Sequence, residues 1–360
     1  MAVPKETIWE LDPHGRAKHE ILRRYLGAWF PILGSWKDQI LYVDGFCGPG
    51  RYKGGEPGSP VIALEVAKSH RQALKGEVLF WFVDEQRDRI EHLKRELASM
   101  QLPSHFKLHP EIGRFDEMLV PVLDGLEAQG KRLPPTFAFI DPFGFSGIPF
   151  NLVARFLRHP SCEVFITFMV DAMNRFLESQ VSHHIVDVFG TDEVLKIVDG
   201  AVDRVTSLRG LYQRQLQLVA RHVRYFEMRD ERDRVQYYLF FASNNRLGHL
   251  KMKEAMWKVS PEGGFKYSDK TDPNQLVLLE NDPAPVLADI LMKKFAGQKT
   301  TGDQIKLFVE DETAFIGKHK TAAMEQLENS AQIQVEPIKS DGTKRKGKTY
   351  PDGIVVNFHR

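Results

Sequence analysis

The sequence has little of what marks several common protein classes. Its 360 residues include two cysteines, Cys47 and Cys162, and no CxxC pair or cluster of His and Cys. It therefore supports neither a disulfide framework nor a structural zinc site, and we predict no metal. No apolar run approaches the roughly 18 residues of a membrane span and no signal peptide is apparent, so we expect a cytoplasmic protein.

The charge balance is also informative. The 49 Lys and Arg residues nearly cancel the 48 Asp and Glu residues, which leaves a formal net charge of +1. No overall basicity points to nucleic acid, so any basic surface must be local. The length predicts one large domain or two ordinary ones, and 42% hydrophobic residues suffice for a sizeable core. No internal repeat or low-complexity segment is present.

One stretch, residues 40–60, organises the chain: ILYVDGFCGPGRYKGGEPGSP. The apolar run Ile40–Val43 predicts a buried strand. Glycines crowd the following turn, and Ser59 as N-cap with Pro60 at the first helical position predicts a helix over Val61–Lys68. Such a turn lets backbone approach a ligand closely. The dinucleotide spacing GxGxxG is absent from this turn, and the lack of GKS or GKT excludes a P-loop.

The segment DGFCGPG resembles motif I of class I S-adenosylmethionine-dependent methyltransferases. The resemblance implies S-adenosylmethionine as cofactor, with Gly48 and Gly50 letting its methionine part pass close to the chain. It also places Asp44 and Phe46 in the cofactor site. The alternative is a tight turn in an unrelated α/β protein.

Two acidic residues further along are candidates for the rest of the cofactor site. The apolar run Val78–Val83 predicts a second strand that ends in Asp84 and Glu85. An acidic residue there can accept hydrogen bonds from ribose hydroxyls, so Asp84 is the candidate, with Glu85 as its substitute. The alternative is a solvated charge at a strand end. After a weak third strand, Asp116 is the candidate for the adenine edge, by analogy with methyltransferases.

The predicted fourth strand, Thr136–Ile140, runs into Asp141, Pro142 and Phe143. This sequence resembles the D-P-P-Y motifs of methyltransferases that modify amino groups of nucleic-acid bases. A carboxylate and a backbone carbonyl can accept the two N–H bonds of such an amine, and Phe143 can stack on the base. Phe-Gly stands where those motifs have Pro-Tyr or Pro-Phe. This difference weakens the inference that the target is adenine N6 or cytosine N4. The alternative is an ordinary βα turn.

The remaining pattern predicts an α/β fold, with a mostly parallel sheet covered by helices on both faces. Residues 1–36 form a helical segment that packs on the core, and residues 37–260 form the main domain. A fifth strand is predicted at Glu163–Val170, a helical insertion at about 171–222, and late strands at Val223–Met228 and Val235–Ala242. We assign His14 and His19 to capping and packing. The alternative is that their segment folds over the cofactor cleft.

The C-terminal part changes in composition. Residues 261–283, rich in Gly, Pro, Asp and Lys, predict a linker. Residues 284–360 show three short helical patterns and two strands around a basic turn, which is typical of a winged helix. The turn carries cations that could neutralise the phosphates of DNA or RNA, namely Lys344, Arg345, Lys346 and Lys348. The alternatives are a solvated loop and a protein-docking module.

Together, WELDPHGRAKHEIL, YLGAWFPIL, the glycine stretch, FIDPFGFSGIP and LGHLKMKEAMW resemble the three-Cys-motif partner family. The resemblance covers most of residues 6–260. It implies a methyltransferase-like protein whose gene neighbour encodes a three-cysteine protein similar to radical S-adenosylmethionine enzymes. Our leading hypothesis is methyl transfer to an amino nitrogen of a DNA or RNA base. The alternatives are a non-catalytic nucleic-acid-binding partner of that protein, and a methyltransferase acting on a peptide or small molecule.

Overall fold

The computed structural model describes residues 4, 6–143, 148–177, 182–197, 203–260, 266–268, 282–339 and 341–359. Three predicted features fall partly outside the described residues: the loop after Phe143 (144–147), the helical insertion (178–181 and 198–202) and the linker (261–265 and 269–281). The chain divides into two compact units. The first comprises residues 1–255 and 266–272, and the second comprises residues 256–265 and 273–360.

The first unit is built on a sheet in the order β3-β2-β1-β4-β5-β7-β6-β8. Its strands are β1 (Gln39–Asp44), β2 (Glu77–Asp84), β3 (Phe106–Ile112), β4 (Thr136–Ile140), β5 (Cys162–Phe168), β6 (His222–Arg229), β7 (Val235–Ser243) and β8 (Lys266–Ser268). The pairs among β1 to β5 are parallel, whereas β7 runs antiparallel to both β5 and β6. A mostly parallel sheet of this kind is Rossmann-like, which confirms the predicted α/β class.

Helices connect the strands. They are α1 (Pro13–Gly34), α2 (Ser59–Ser69), α3 (Arg87–Ser99), α4 (Phe115–Ala128), α5 (Phe150–Leu157), α6 (Val170–Phe176), α7 (Ser182–Phe189), α8 (Glu193–Lys196), α9 (Arg204–Val219) and α10 (Arg246–Val259). Within the described part of the chain, no helix combines the length and the apolar character that a membrane span requires.

Burial explains why these strands could be read from the sequence. Every residue of β4 and β5 is buried, as expected for central parallel strands covered on both faces. The predicted insertion contributes α9, whose Tyr212 stacks on Phe168 with ring centroids 4.3 Å apart. Helix α9 is therefore part of the core on one face of the sheet.

Three predicted boundaries need correction. Strand β5 ends at Phe168, because α6 begins at Val170 although the apolar run continues. Ser59 is the first residue of α2, and Gly58 takes the N-cap position. Three residues of the predicted linker, Lys266–Ser268, form β8, which pairs in parallel with β6 and so covers an otherwise open sheet edge.

The second unit contains α11 (Pro283–Phe295), β9 (Lys299–Thr301), α12 (Gly302–Glu312), α13 (Gly317–Asn329), β10 (Ile333–Val335) and β11 (Val355–Phe358). The three predicted helices and the two predicted strands are present, and β9 is an addition. The strands form an antiparallel sheet in the order β10-β11-β9. Leu287, Ile305, Leu327 and Val356 belong to the separate apolar core of this unit.

A buried carboxylate links α1, β5 and β7 near the N-terminal end of β5. Glu163 accepts hydrogen bonds from the Tyr25 hydroxyl at 2.5 Å and the Ser243 hydroxyl at 2.7 Å. Burial raises the pKa of Glu163, and these hydrogen bonds oppose the rise. Gly248 of α10 fits tightly here, because an added Cβ would lie 2.1 Å from Glu163 Oε1.

We predict that Gly248→Ala lowers the melting temperature, whereas Gly27→Ala raises it. The first change pushes a methyl group into the hydrogen-bonded carboxylate, which costs about 1–3 kcal/mol when its bonds are disturbed. Gly27 lies inside α1 with nothing within 4 Å of an added Cβ, so alanine gains helix propensity of about 0.5–1 kcal/mol. Thermal denaturation of both variants tests this, and equal shifts would contradict the packing described for Gly248.

Candidate functional site

Three aspartates lie close together at the C-terminal ends of three neighbouring strands. Asp44 ends β1, Asp84 ends β2, and Asp141 follows β4. Strand β1 lies between β2 and β4 and runs parallel to both, so the three carboxyl ends lie side by side. Open α/β sheets bind their ligands at these C-terminal strand ends. The structure thus brings together candidates that the sequence separates by up to about 100 residues.

The glycine turn between β1 and α2 has the geometry that only glycine adopts easily. Gly48 has φ +62° and Gly50 has φ +86°, both in the left-handed region. The Asp84 carboxylate accepts a hydrogen bond from the Gly48 amide at 3.0 Å. The turn after β1 is therefore fastened directly to the end of β2.

Asp84 is buried, and each of its carboxylate oxygens accepts one backbone hydrogen bond. Besides Gly48 it accepts a hydrogen bond from the Gln86 amide at 2.9 Å, and the Arg89 guanidinium lies 3.7 Å away. Burial raises the pKa of Asp84, and these partners act against the rise. Its neighbour Glu85 is exposed. Arg89, which the sequence did not single out, is thus a close partner of the ribose candidate.

Asp44 has a different environment. It is completely buried and takes weak hydrogen bonds of 3.4 Å from the Tyr42 hydroxyl and the Phe46 amide. The Ser59 hydroxyl is a further hydrogen-bond partner, and Asp141 is close enough to add repulsion. Burial is the main cause that raises the pKa of Asp44 to about 7.

Asp141 is paired with a lysine that the sequence analysis did not single out. Lys18 of α1 places its Nζ 2.5 Å from Asp141 Oδ2, and the two side chains are 7% and 22% exposed. Lys18 lies on the apolar stripe of α1, four and seven residues before the buried Leu22 and Tyr25. A charge on such a stripe is a signal that could have identified it.

The two histidines of α1 are both buried and packed. His14 hydrogen-bonds through Nε2 to the Arg229 carbonyl at 2.8 Å and contacts the Tyr237 ring edge-on. His19 lies against Tyr52, and burial, aided by the neighbouring Lys18, lowers its pKa to about 3. Both histidines pack as predicted, but the predicted capping role is wrong, because Asp12 is the N-cap of α1 and accepts a hydrogen bond from the Gly15 amide. His19 stays uncharged at any ordinary pH.

The segment before α1 lies against the glycine turn. The Trp9 carbonyl accepts a hydrogen bond from the Lys53 amide at 2.8 Å. Its indole ring contacts Tyr52 and Phe143, each with ring centroids 5.7 Å apart. Phe143 follows the buried Pro142 in the chain. Its aromatic neighbour Trp9 comes from the N-terminal end of the chain.

The other two cofactor candidates lie near the start of α4. Phe46 packs edge-on against Phe115 with ring centroids 6.4 Å apart. Asp116 is paired with Arg114 at 2.8 Å. It lines an open depression of about 700 Å³ together with Asp187 and other residues of α4, α5 and α7. The structure therefore groups Asp116 with Arg114 and that depression.

In the second unit, the prediction for one residue of the basic turn needs a correction. Lys344, Lys346 and Lys348 are exposed, but the Arg345 side chain is only 9% exposed. Arg345 makes two hydrogen bonds of 2.7 and 2.6 Å to the Glu328 carboxylate. It therefore fastens the turn to α13 instead of projecting from a polar tip, because a guanidinium matches a carboxylate with two parallel bonds.

Comparisons with known proteins give only distant likenesses. No protein-family model and no curated protein matches the sequence. A Legionella pneumophila protein of the family DUF519 is 13% identical over 65% of this chain and 86% of its own, with a TM-score of 0.40. Trm1 from Pyrococcus horikoshii, solved with S-adenosyl-L-methionine, is 13% identical over 72% of this chain and 62% of its own, with a TM-score of 0.35.

Human methyltransferase-like protein 13, solved with S-adenosylhomocysteine (SAH), is also 13% identical. It covers 73% of this chain and 97% of its own, with a TM-score of 0.37. These likenesses are too distant to assign a family or an activity, because none of the three TM-scores exceeds 0.40.

We predict that the stability of the protein falls relative to Asp44→Asn as the pH rises from about 4 to 7. Burial raises the pKa of Asp44 from 3.8 to about 7, so in this range the unfolded chain has lost a proton that the folded protein keeps. Raising the pH therefore favours unfolding, by about 1.4 kcal/mol per pH unit at most. Above pH 7 both states are ionised and the difference should stay constant.

Melting temperatures of the two proteins between pH 5 and 8 test this. The exposed Asp38 provides a matched control, and Asp38→Asn should show no growing difference from the wild type. A difference between wild type and Asp44→Asn that did not change with pH would contradict the prediction.

Proposed function

We propose that this protein is a class I S-adenosylmethionine-dependent methyltransferase that acts on an amino nitrogen of a DNA or RNA base. The observation that carries the proposal is at the C-terminal ends of the central strands, where a glycine turn held by Asp84 follows β1 and the Asp141-Pro142-Phe143 sequence follows the neighbouring strand β4. The sheet order supports it, because an antiparallel strand inserted between the fifth and sixth strands, as β7 is here, is typical of class I methyltransferases.

The charges of the edge fit this cofactor. The cluster contains the carboxylates of Asp44, Asp84 and Asp141 and two cations. Lys18 is paired with Asp141, and Arg89 lies near Asp84. When all five are ionised, the cluster carries one net negative charge and suits a ligand with a positive centre. S-adenosylmethionine supplies an electrophilic methyl group on a sulfonium. The residues that we propose hold it are Asp44, Phe46, Gly48, Gly50 and Asp84, with Asp116 proposed for the adenine edge.

Asp141 and Phe143 are proposed to receive the target. A base amine is a poor nucleophile because its lone pair is delocalised into the ring. The Asp141 carboxylate accepts a hydrogen bond from the amine, favours a pyramidal nitrogen, and takes up the proton that the nitrogen must lose. Lys18 holds Asp141 Oδ2, which fixes the carboxylate and leaves Oδ1 for the amine. The Phe143 ring offers a surface on which a base can stack.

The second unit is proposed to bind the nucleic acid. Its order of helices and strands supports a winged helix, with the basic turn between β10 and β11 as the wing. Lys344, Lys346 and Lys348 are exposed there and can neutralise phosphates, while Arg345 is committed to Glu328. We assign the phosphate contacts to the three lysines and a positioning role to Arg345.

The motifs that resemble the three-Cys-motif partner family lead us to propose membership of that family, with the neighbouring three-cysteine protein as a candidate partner. A non-catalytic nucleic-acid-binding role remains the alternative, favoured by the Lys18–Asp141 pair, which already satisfies one oxygen of the proposed catalytic carboxylate. Labelled methyl transfer to DNA, RNA, peptide or small molecules separates these functions.

We predict that Asp141→Ala abolishes methyl transfer while cofactor affinity changes by less than about three-fold. The loss should be about 100-fold or more, the scale of a positioned acid–base group. Lys18→Met should reduce transfer less, because the carboxylate remains but loses its fixed orientation. Asp124→Ala, which removes a carboxylate that is 60% exposed on α4, should change neither.

Transfer of a labelled methyl group, with cofactor affinity measured by calorimetry, tests these variants. Full turnover by Asp141→Ala would rule out an amino target held by this carboxylate. Loss of cofactor binding in the same variant would move Asp141 into the cofactor site.

We also predict that Lys344→Ala/Lys346→Ala weakens nucleic-acid binding and reduces its dependence on salt. Each lost phosphate contact lowers the slope of log affinity against log salt by about 0.9 on duplex DNA, so two contacts lower it by about 1.8. Lys293→Ala/Lys294→Ala makes the same charge change on α11 of the same unit and should leave the slope unchanged. Titrations of duplex DNA and structured RNA at several salt concentrations give the slopes, and equal slopes for both double variants would argue against the wing.

A further inference from the structure

The N-terminal segment forms a strap over the glycine turn. We define the strap as residue 4 with residues 6–12. It is tied down at three points: the Trp9 carbonyl to the Lys53 amide, the Thr7 hydroxyl to the Asp88 carboxylate, and the Pro4 carbonyl to Arg89 Nη2 at 3.0 Å. These contacts join it to the glycine-rich loop and to α3.

The strap covers the bare face of Gly48. A Cβ added to Gly48 would lie 3.4 Å from Cη2 of the Trp9 indole, which is ordinary van der Waals distance. The indole therefore rests on the surface that the missing side chain leaves open. That surface is the one proposed for the methionine part of the cofactor.

The strap also immobilises the cation next to Asp84. The Arg89 guanidinium carbon lies 4.9 Å from the centre of the Trp9 ring and 5.6 Å from that of Phe143. Arg89 is 4% exposed and lies 3.7 Å from Asp84. A desolvated cation between aromatic faces is held more firmly than an exposed one. Arg89 therefore stays against the carboxylate that is proposed for the ribose.

We propose that the strap is a displaceable cover that competes with S-adenosylmethionine for the glycine turn. This inference rests on the proposed function, since it assumes that the cofactor uses Gly48 and Asp84. Both surfaces are taken by the strap or by the arginine that the strap holds. The cofactor binds only when the strap lifts, so its apparent affinity is the intrinsic affinity reduced by the fraction of open molecules.

Variants that loosen the strap in the full chain test the proposal. Trp9→Ala removes the indole and its contacts with Arg89 and Phe143, so cofactor should bind about ten-fold tighter. Thr7→Val removes a hydroxyl outside the site, so the gain should be smaller, about three-fold. Trp36→Ala is the control, because Trp36 is 64% exposed and lies beyond the C-terminal end of α1, and affinity should not change. Calorimetry with S-adenosylmethionine and with SAH supplies the affinities.

Hydrogen exchange provides a second readout that does not depend on activity. In the wild type, saturating SAH should speed exchange of the amides of residues 6–12, because the strap is released. Slower exchange on binding, or unchanged or weaker affinity in both Trp9→Ala and Thr7→Val, would overturn the strap proposal and leave the cofactor assignment standing. Absence of binding in the wild type and in every variant would overturn both.

Discussion

The hydrogen bond from the Gly48 amide to the Asp84 carboxylate, 3.0 Å long, is the contact on which the candidate site depends. A buried carboxylate is costly unless hydrogen bonds and a counter-charge compensate it. Asp84 finds them in two backbone amides and in Arg89. The need to satisfy this one group fixes the turn after β1 against the end of β2. The position of this turn then determines where α2 starts.

The same edge shows how three identical side chains acquire different properties. Asp84 is held by backbone amides, Asp141 by a lysine, and Asp44 by weak bonds from neutral groups. Burial raises the pKa of Asp44 to about 7, because its hydrogen bonds only partly oppose the effect. Environments that separate titratable groups in this way are characteristic of sites with divided chemical roles.

Much of the first unit could be predicted because its strands are buried runs with clear ends. Ile40–Val43 and Val78–Val83 each fall one residue short of the observed strands at either end. The predicted end of β5 is wrong, because the apolar run continues through Met169 and Val170, where α6 already begins. The three-residue strands β8 and β9 are too short to show a period. The Lys18–Asp141 pair joins residues 123 positions apart, a contact that no local pattern encodes.

Strand β8 has a consequence for where the first unit ends. Its residues follow α10 in the chain, yet they pair with β6 on the outer side of the main sheet. A fragment cut at residue 260 would therefore leave the backbone groups of β6 unpaired along an open edge, an invitation to strand exchange between molecules. A gene fragment meant to encode a soluble first unit should extend past Ser268, even though the sequence there reads as a spacer.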